Sequence, residues 1–179
     1  MIGQVKKVGT DILLHAIVHG NVHDVIALLN DNEVDVNCTN INGQTPLHFA
    51  VNEQKETIID ILLEAQAQVN QPDNESIGGN TPMHLATEQN MKEVIEKFLN
   101  CGGDPELKNS QGLSCLHIAA REGHTELVKK FIAKDINLDM RDGFGYTASY
   151  WAHRFKHADI VQLLPPPLKI TKEEYYEHI

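Results

Sequence analysis

Hydrophobic and polar positions repeat along this 179-residue chain at a nearly constant interval. Five segments align on a shared alanine, and successive alanines lie 34, 36, 33 and 33 residues apart: Ala16, Ala50, Ala86, Ala119 and Ala152. Self-similarity at such a period is typical of proteins built from stacked repeats of one supersecondary unit. We therefore expect the same short arrangement of helices to recur along the chain.

The best-preserved segment begins with a signal for the start of a helix. The hydroxyl of Thr45 can accept a hydrogen bond at a helix N-terminus, and Pro46 fits the first helical turn, where its missing N–H costs nothing. Leu47 and Phe49 begin an apolar face, and the small Ala50 lets a neighbouring helix approach closely. The pattern predicts a short first helix in each unit.

A second apolar pattern begins eight residues after the alanine in the three central segments. Its residues recur at i, i+1, i+4 and i+5, which places them on one stripe of a short helix. The stripes are Ile58, Ile59, Leu62 and Leu63, then Val94, Ile95, Phe98 and Leu99, then Leu127, Val128, Phe131 and Ile132. Tight turns are expected between the two helices, and extended polar loops after the second.

The unit resembles the ankyrin repeat, whose motif T-P-L-H-x-A stands here as TPLHFA from Thr45 and TPMHLA from Thr81, with a looser SCLHIA from Ser114. The terminal copies, DILLHA from Asp11 and TASYWA from Thr147, depart from the motif, as expected of capping units. The resemblance implies an all-α solenoid of stacked helix-turn-helix units with β-hairpin-like fingers. The implied ankyrin-repeat domain covers 1–164, with repeats at about 7–39, 40–75, 76–108, 109–141 and 142–164. A Pro-rich segment and a short C-terminal helix would follow at 165–179, since Thr171 and Glu174 have capping-box spacing.

The resemblance also implies a protein-binding module, which contacts a protein or peptide partner through a concave face and the finger tips. Carried over by register, the finger-tip positions are Ile41, Asn42, Gln44, Ile77, Asn80, Ser110, Gln111, Leu113, Phe144 and Tyr146. The positions at the solvent end of the first helices are Asn52, Glu53, Glu88, Gln89, Arg121, Glu122, Arg154 and Phe155. Two alternatives remain open: a stand-alone inhibitor of a kinase or transcription factor, and a targeting or substrate-recruiting domain of a larger protein.

The aromatic side chains are unevenly distributed among these positions. Five of the ten Phe, Tyr and Trp residues fall in one short stretch: Phe144, Tyr146, Tyr150, Trp151 and Phe155. Aromatic residues and arginine are the types most often found as interface hot spots, which favours this stretch as a contact site. The alternative is that Tyr150 and Trp151 fill the end of the core, where no sixth repeat follows.

Charge and composition narrow the class of partner. The net charge is −10, and residues 31–106 hold 14 acids and three bases, a net of −11. This acidic stretch argues against nucleic acid as the main partner. No apolar run approaches the roughly 18–20 residues that span a bilayer. Three widely spaced cysteines without a CxxC motif fit a reducing compartment, so we expect the protein in the cytoplasm or nucleus. We also expect a monomer that binds no membrane.

The ten histidines do not predict a catalytic or metal site. The resemblance implies that His48, His84 and His117, at the motif position, bond loop backbone and support neighbouring repeats. His15, His19 and His23 have the spacing of helical metal ligands, but Gly20-Asn21 should end the helix between the second and third. Phosphate-binding loops, GxSxG and HExxH are all missing from the sequence, so no enzyme, cofactor or metal site is predicted.

Two loops carry further hypotheses. The stretch from Gln71 to Asn80 holds the extra residues behind the 36-residue spacing, and it is either a tolerated surface insertion or a specificity loop that reaches the partner. Asp35-Val36-Asn37 resembles the loop asparagine that asparaginyl hydroxylases modify in ankyrin proteins, and Asn70 is a poorer match. The resemblance therefore makes Asn37 a possible hydroxylation site, and the alternative is a side chain that only stabilises its loop.

Overall fold

The computed structural model describes residues 2–30 and 34–166 of the chain. Within these ranges the chain forms ten α-helices, one 3₁₀ helix over Glu75–Ile77 and no β-strand. The α-helices are α1 (Ile2–Val18), α2 (Val22–Asn30), α3 (Pro46–Asn52), α4 (Glu56–Glu64), α5 (Pro82–Glu88), α6 (Lys92–Asn100), α7 (Cys115–Glu122), α8 (Thr125–Ile132), α9 (Ala148–Arg154) and α10 (Ala158–Leu163). The helix predicted around Thr171 and Glu174 lies outside the described residues.

The chain divides into two compact units, residues 1–104 and 105–179. In the first unit α1 pairs with α2, α3 with α4 and α5 with α6, while α1 packs on α3, α3 on α5, and α2 on α4. In the second unit α7 pairs with α8 and α9 with α10, while α7 packs on α9 and α8 on α10. First helices thus pack on first helices and second on second, which confirms the predicted all-α repeat of helix pairs.

Each of the three central first helices begins with the same reciprocal hydrogen bonding. In α3 the backbone N–H of Thr45 donates to Nδ1 of His48 at 3.0 Å, and the backbone N–H of His48 donates to the Thr45 hydroxyl at 3.4 Å. The same capping box joins Thr81 to His84 in α5, and it recurs at the start of α7. The motif histidine therefore satisfies a backbone donor that an isolated helix would leave free.

Cys115 takes the place of the motif proline, and its backbone N–H explains why. This N–H donates to the carbonyl oxygen of Pro105 at 3.1 Å, a bond that proline could not form. The Cys115 side chain is fully buried. The substitution exchanges the stiffness of proline for one extra backbone hydrogen bond inside the second unit.

The core follows the two apolar patterns. All five aligned alanines are buried, the least so being Ala16 at 5% exposure. In each second-helix stripe the first three residues are buried, and the fourth, at Leu63, Leu99 and Ile132, is half-buried at the rim. Burying a side chain of this size contributes on the order of 1.5–3 kcal/mol, so these stripes supply much of the packing energy of each helix pair.

Candidate functional site

The loops that precede the first helices are each closed by one Asn or Asp side chain. Asn40 Oδ1 accepts the backbone N–H groups of Asn42 and Gln44 at 2.9 and 3.0 Å. Asn109 Oδ1 accepts those of Gln111 and Leu113, both at 3.0 Å. These side chains add to the backbone bond across each loop, which runs from the Asn40 N–H to the Gln44 carbonyl at 3.1 Å and from the Asn109 N–H to the Leu113 carbonyl at 3.0 Å. Each side chain satisfies two further backbone donors of its own turn.

The residues that close these loops were not predicted from the sequence. They are Asn40, Asp73, Asn109 and Asp142, and three of them lie 10 residues before the alanine of the following helix, while Asp73 lies 13 residues before Ala86 because of the long loop. An Asn or Asp recurring in register with the repeat was the signal that could have revealed them. Their recurrence means that every finger tip of the described chain is held by the same side-chain chemistry.

The long loop between Gln71 and Asn80 is anchored at its base and along its side. Asp73 and Asn80 exchange two bonds: the Asp73 N–H donates to the Asn80 carbonyl at 2.9 Å, and the Asn80 N–H to Asp73 Oδ1 at 2.7 Å. Asn74 bonds the preceding finger, with its N–H to the Asn42 carbonyl at 3.0 Å and its amide to the Ile41 carbonyl at 3.1 Å. The extra residues therefore brace two neighbouring fingers and still leave Ile77 exposed.

Most of the positions carried over from the repeat register lie at the surface. The exposed ones are Ile41, Asn42, Asn52, Glu53, Ile77, Glu88, Ser110, Gln111, Glu122, Phe144, Arg154 and Phe155. The half-buried ones are Gln44, Asn80, Gln89, Arg121 and Tyr146. Leu113 is only 3% exposed, so the expectation that it lies at a finger tip is wrong. Its backbone is bonded to Asn109 at the inner end of the loop, which directs it into the core next to α7.

Some helix-end side chains already have partners inside their own unit. In the first unit the Gln54 amide donates to Gln89 Oε1 at 2.8 Å. In the second, Arg121 and Glu122 form an ion pair at 2.8 Å. A partner that used these groups would have to replace existing contacts, so they offer less net binding energy than free side chains do.

Four rings in the second unit form one connected surface, here named the aromatic shelf: Tyr146, Tyr150, Trp151 and Phe155. The Tyr146 and Tyr150 rings stack with centroids 4.0 Å apart, and both meet Trp151 edge-on, at 6.0 and 5.7 Å. Trp151 stacks on Phe155 at 6.1 Å. Tyr150 and Trp151 are half-buried and not part of the fully buried core, so the interpretation that they only fill its end is incomplete.

Asp142 holds the aromatic shelf to its finger. Its Oδ1 accepts the N–H groups of Phe144 and Tyr146 at 2.8 and 2.9 Å, and its Oδ2 accepts the indole N–H of Trp151 at 2.8 Å. The carboxylate is 6% exposed, so these bonds form away from water, where their strength is greatest. Phe144 is then left projecting from the tip, 52% exposed.

Two of the three motif histidines, His48 and His117, support the following fingers as expected. Nδ1 of His48 accepts the Thr45 N–H, so the ring proton lies on Nε2, which donates to the Asn80 carbonyl at 2.9 Å. His117 Nε2 likewise donates to the carbonyl oxygens of Met140 and Tyr146 at 3.0 and 3.1 Å. These bonds tie α3 and α7 each to the finger that follows it.

Burial sets the protonation of two of these histidines. It lowers the pKa of His48 against the opposing effects of the Asn80 carbonyl and Asp73. It also lowers the pKa of His117, against Asp142 and the two carbonyls and together with a smaller contribution from Lys108. Both rings are therefore neutral at pH 7, in the tautomer that their hydrogen bonds require.

The N-terminal histidines do not converge on a metal site in the described residues. α1 ends at Val18, and Gly20 adopts a left-handed φ of 69°, so the predicted break between His19 and His23 is confirmed. The His15 and His19 rings stack at 4.0 Å, and His19 Nδ1 bonds the His15 carbonyl. Over residues 2–30 and 34–166, no three His, Cys, Asp or Glu side chains come close enough to hold a metal ion.

Asn37 and Asn70 link successive loops in the first unit. Asn37 Oδ1 accepts the Gln68 N–H at 2.7 Å, and Asn70 Oδ1 accepts the Asp104 N–H at 2.9 Å. Asn37 is half-buried. Both contacts show the loop-stabilising role that the sequence analysis gave as the alternative to modification.

One of two comparisons with known proteins identifies the family of this chain. A family model described as ankyrin repeats (3 copies) matches residues 13–105 and again residues 83–173, so that the matches together cover far more than half of the chain. No curated protein shows significant sequence similarity to it. Among the described residues, none of the helices has the length and apolar character required to cross a membrane. With its paired helices, its capping-box histidines and this match, the chain belongs to the ankyrin-repeat family.

Proposed function

We propose that this chain is a non-catalytic module that binds another protein or peptide through its finger tips and the solvent ends of its first helices. Ankyrin repeats are generally protein–protein interaction modules, and this general role is the starting point. The proposal assigns the recognition to particular side chains on a rigid support.

One observation carries the proposal: large apolar side chains are exposed at the positions where the family usually meets its partners. Ile41 is 92% exposed and Ile77 42% in the first unit, while Phe144 and Phe155 are 52% and 50% exposed in the second. The other large exposed apolar side chains among the described residues are Ile12, Ile26 and Leu163. Exposed apolar groups on hydrogen-bonded loops lose little conformational entropy when bound, which suits recognition.

We also propose that the protein works as a monomer in the cytoplasm or nucleus. The three cysteines support a reducing compartment, because all are free thiols and Cys115 is deeply buried. A single monomeric species in light scattering, with and without a reducing agent, is the expected result. A reductant-sensitive dimer would contradict both parts.

Affinity capture with matched variants tests the binding function. The native chain, Ile41→Ala/Ile77→Ala, Phe144→Ala/Tyr146→Ala and the control Ile12→Ala/Ile26→Ala would each be used as bait, with captured proteins identified by mass spectrometry. Each candidate partner would then be purified and its affinity measured directly. We expect at least one tip variant to lose the partner by about tenfold or more while the control keeps it. If no partner is captured, or if a captured partner binds every variant with equal affinity, the proposal is wrong.

A further inference from the structure

We propose that the aromatic shelf, with Phe144 and the basic side chains beside it, is a docking site for an acidic peptide segment that carries aromatic or aliphatic side chains. The inference rests on the proposed binding function and specifies the partner chemistry of its second unit. Its elements are a connected set of partly exposed rings, two exposed basic residues next to Phe155 in sequence, and a buried carboxylate that holds Trp151.

The apolar part of the site is already preorganised. Trp151 is held by the buried Asp142 at 2.8 Å, and its ring contacts Tyr146, Tyr150 and Phe155. Such a ring array loses little rotamer freedom on binding. Phe155 within the array and Phe144, on the same finger as Tyr146, are half exposed to solvent. An apolar side chain laid on these rings would bury aromatic area, as at an interface hot spot.

The sequence segment that carries the shelf has a positive net charge in a chain that is otherwise acidic. Residues 141–157 contain Arg141, Arg154 and Lys156 against one acid, Asp142, a net of +2, whereas the whole chain carries −10. Arg154 and Lys156 are exposed and flank Phe155 in sequence, and no ion pair occupies either of them among the described residues. The Debye length at physiological salt is about 8 Å, so charges within that distance of a bound segment act on it most strongly.

The charge count favours an acidic peptide over single-stranded nucleic acid, although both can stack on aromatic rings. Nucleic acid needs a basic groove that follows several successive phosphates. Here one of the three cations, Arg141, already donates to the Gly145 carbonyl at 2.9 Å, which leaves Arg154 and Lys156. Two free cations match one or two carboxylates between apolar side chains.

A synthetic probe tests the site without an identified partner. The probe is a short fluorescent peptide in which Glu alternates with Leu and Phe. One comparison peptide has Gln for every Glu, and another has Ser for every Leu and Phe. Binding of the labelled peptide to the full chain is measured by fluorescence anisotropy. Binding of the same peptide without its label is measured by the fluorescence of Trp151, the only tryptophan in the sequence and part of the shelf. We expect saturable binding that changes Trp151 fluorescence, weakens with salt, and is at least about tenfold weaker for both comparison peptides.

Paired variants locate the contact. Phe144→Ala/Phe155→Ala and Arg154→Gln/Lys156→Gln should each weaken binding of the acidic probe by about tenfold, because each removes one half of the recognition. The matched controls are Ile12→Ala/Ile26→Ala, which removes exposed apolar side chains elsewhere, and Lys129→Gln/Lys134→Gln, which removes exposed charges. Both controls should bind like the native chain. All the targeted side chains are exposed, so circular dichroism should show unchanged folding.

Four results would overturn the inference. They are no binding of the acidic probe, equal binding of the Gln peptide, tighter binding of a short single-stranded oligonucleotide, and binding that appears only after Glu173, Glu174 and Glu177 are changed to Gln. The last would mean that the chain's own acidic residues compete for the site. If a natural partner is captured but resists the Phe144→Ala/Phe155→Ala change, only this inference fails. If no partner is captured at all, the proposed function itself fails.

Discussion

At the scale of single residues, a few polar side chains hold the loops that carry the exposed apolar groups. Asp142 is the clearest case, because one buried carboxylate accepts three N–H donors from its finger and from α9. Asn40 and Asn109 each accept backbone N–H groups of their own loop with one amide oxygen. The loop tips are therefore held by side-chain acceptors together with one backbone bond across each finger.

Changing Asp142 should separate its two roles. Asp142→Ala leaves two backbone donors and the Trp151 indole without an acceptor, which should lower the free energy of unfolding by about 2–4 kcal/mol. Asp142→Asn keeps an oxygen for the finger, as Asn109 does, but turns an amide N–H toward the indole. It should cost about 1 kcal/mol and shift Trp151 fluorescence. Urea unfolding followed by circular dichroism measures both.

The control for this change is Asp139→Ala, an exposed acid in the same loop region whose removal should be nearly neutral. If Asp139→Ala and Asp142→Ala lowered the free energy of unfolding equally, the loss of a negative charge, and not the loss of the hydrogen bonds, would be the cause.

The neutral histidines predict how stability depends on pH. Burial lowers the pKa of His48 and His117 in the folded chain, so the unfolded chain binds protons first as the pH falls below its ordinary histidine value of about 6.5. Their contribution is therefore complete above that value and is lost progressively below it. Urea midpoints at about pH 7.5 and about pH 6 should show a drop on acidification.

A His48→Gln/His117→Gln variant serves as the control for the pH dependence. It should be less stable at neutral pH but show a smaller drop on acidification, because glutamine does not titrate. An unchanged pH slope in this variant would place the titrating groups elsewhere.

At the scale of elements, the helix pairs differ in how well their cores are filled. Position 149 in α9 corresponds to Leu47, Met83 and Leu116, all of which are at most 1% exposed. Ser149 is 3% exposed, and its hydroxyl has no hydrogen-bond partner among the described residues. The last described helix pair therefore contains a polar group where its predecessors have a large apolar side chain.

Removing this hydroxyl should stabilise the protein. Ser149→Ala eliminates a buried, unbonded polar atom and raises helix propensity, so the free energy of unfolding should rise by about 0.5–1.5 kcal/mol. Differential scanning calorimetry or urea unfolding would detect the change. The exposed Ser76→Ala should have little effect. A loss of stability in Ser149→Ala would mean that a buried water satisfies the hydroxyl.

At the scale of the whole molecule, the three thiols report on the two units separately. Cys101 is exposed, Cys38 is half-buried, and burial raises the pKa of the Cys38 thiol; both lie in the first unit. Cys115 is fully buried in the second. In the folded protein we expect a thiol reagent to modify Cys101 quickly, Cys38 slowly and Cys115 only on unfolding, since thiolate fraction and access control the rate.

Mass spectrometry of protein labelled at increasing urea concentrations would show at which urea concentration each unit unfolds. Cys115→Ser is the control that assigns the slowest signal. Rapid labelling of Cys115 in native conditions would contradict the burial of this helix start.

The fold could be predicted from the sequence because its determinants are local and repeated. The Thr-Pro start, the small alanine and the i, i+1, i+4, i+5 stripe each act within one helix, and their recurrence along the chain reinforces the prediction. The candidate site could be predicted less well. Leu113 was placed at a tip by register, although Asn109 turns it inward, and the link from Asp142 to Trp151 went unnoticed because it joins a loop to a helix.

The sequence by itself determined the helices, their pairing and the positions where recognition was expected, because periodicity and capping are written in neighbouring residues. Only the tertiary structure decided which of those positions face solvent, that the long loop braces Ile41 and Asn42, and that four rings join into one surface over Asp142. These features depend on contacts between residues from different elements. Packing and hydrogen bonding across such distances leave no periodic trace along the chain.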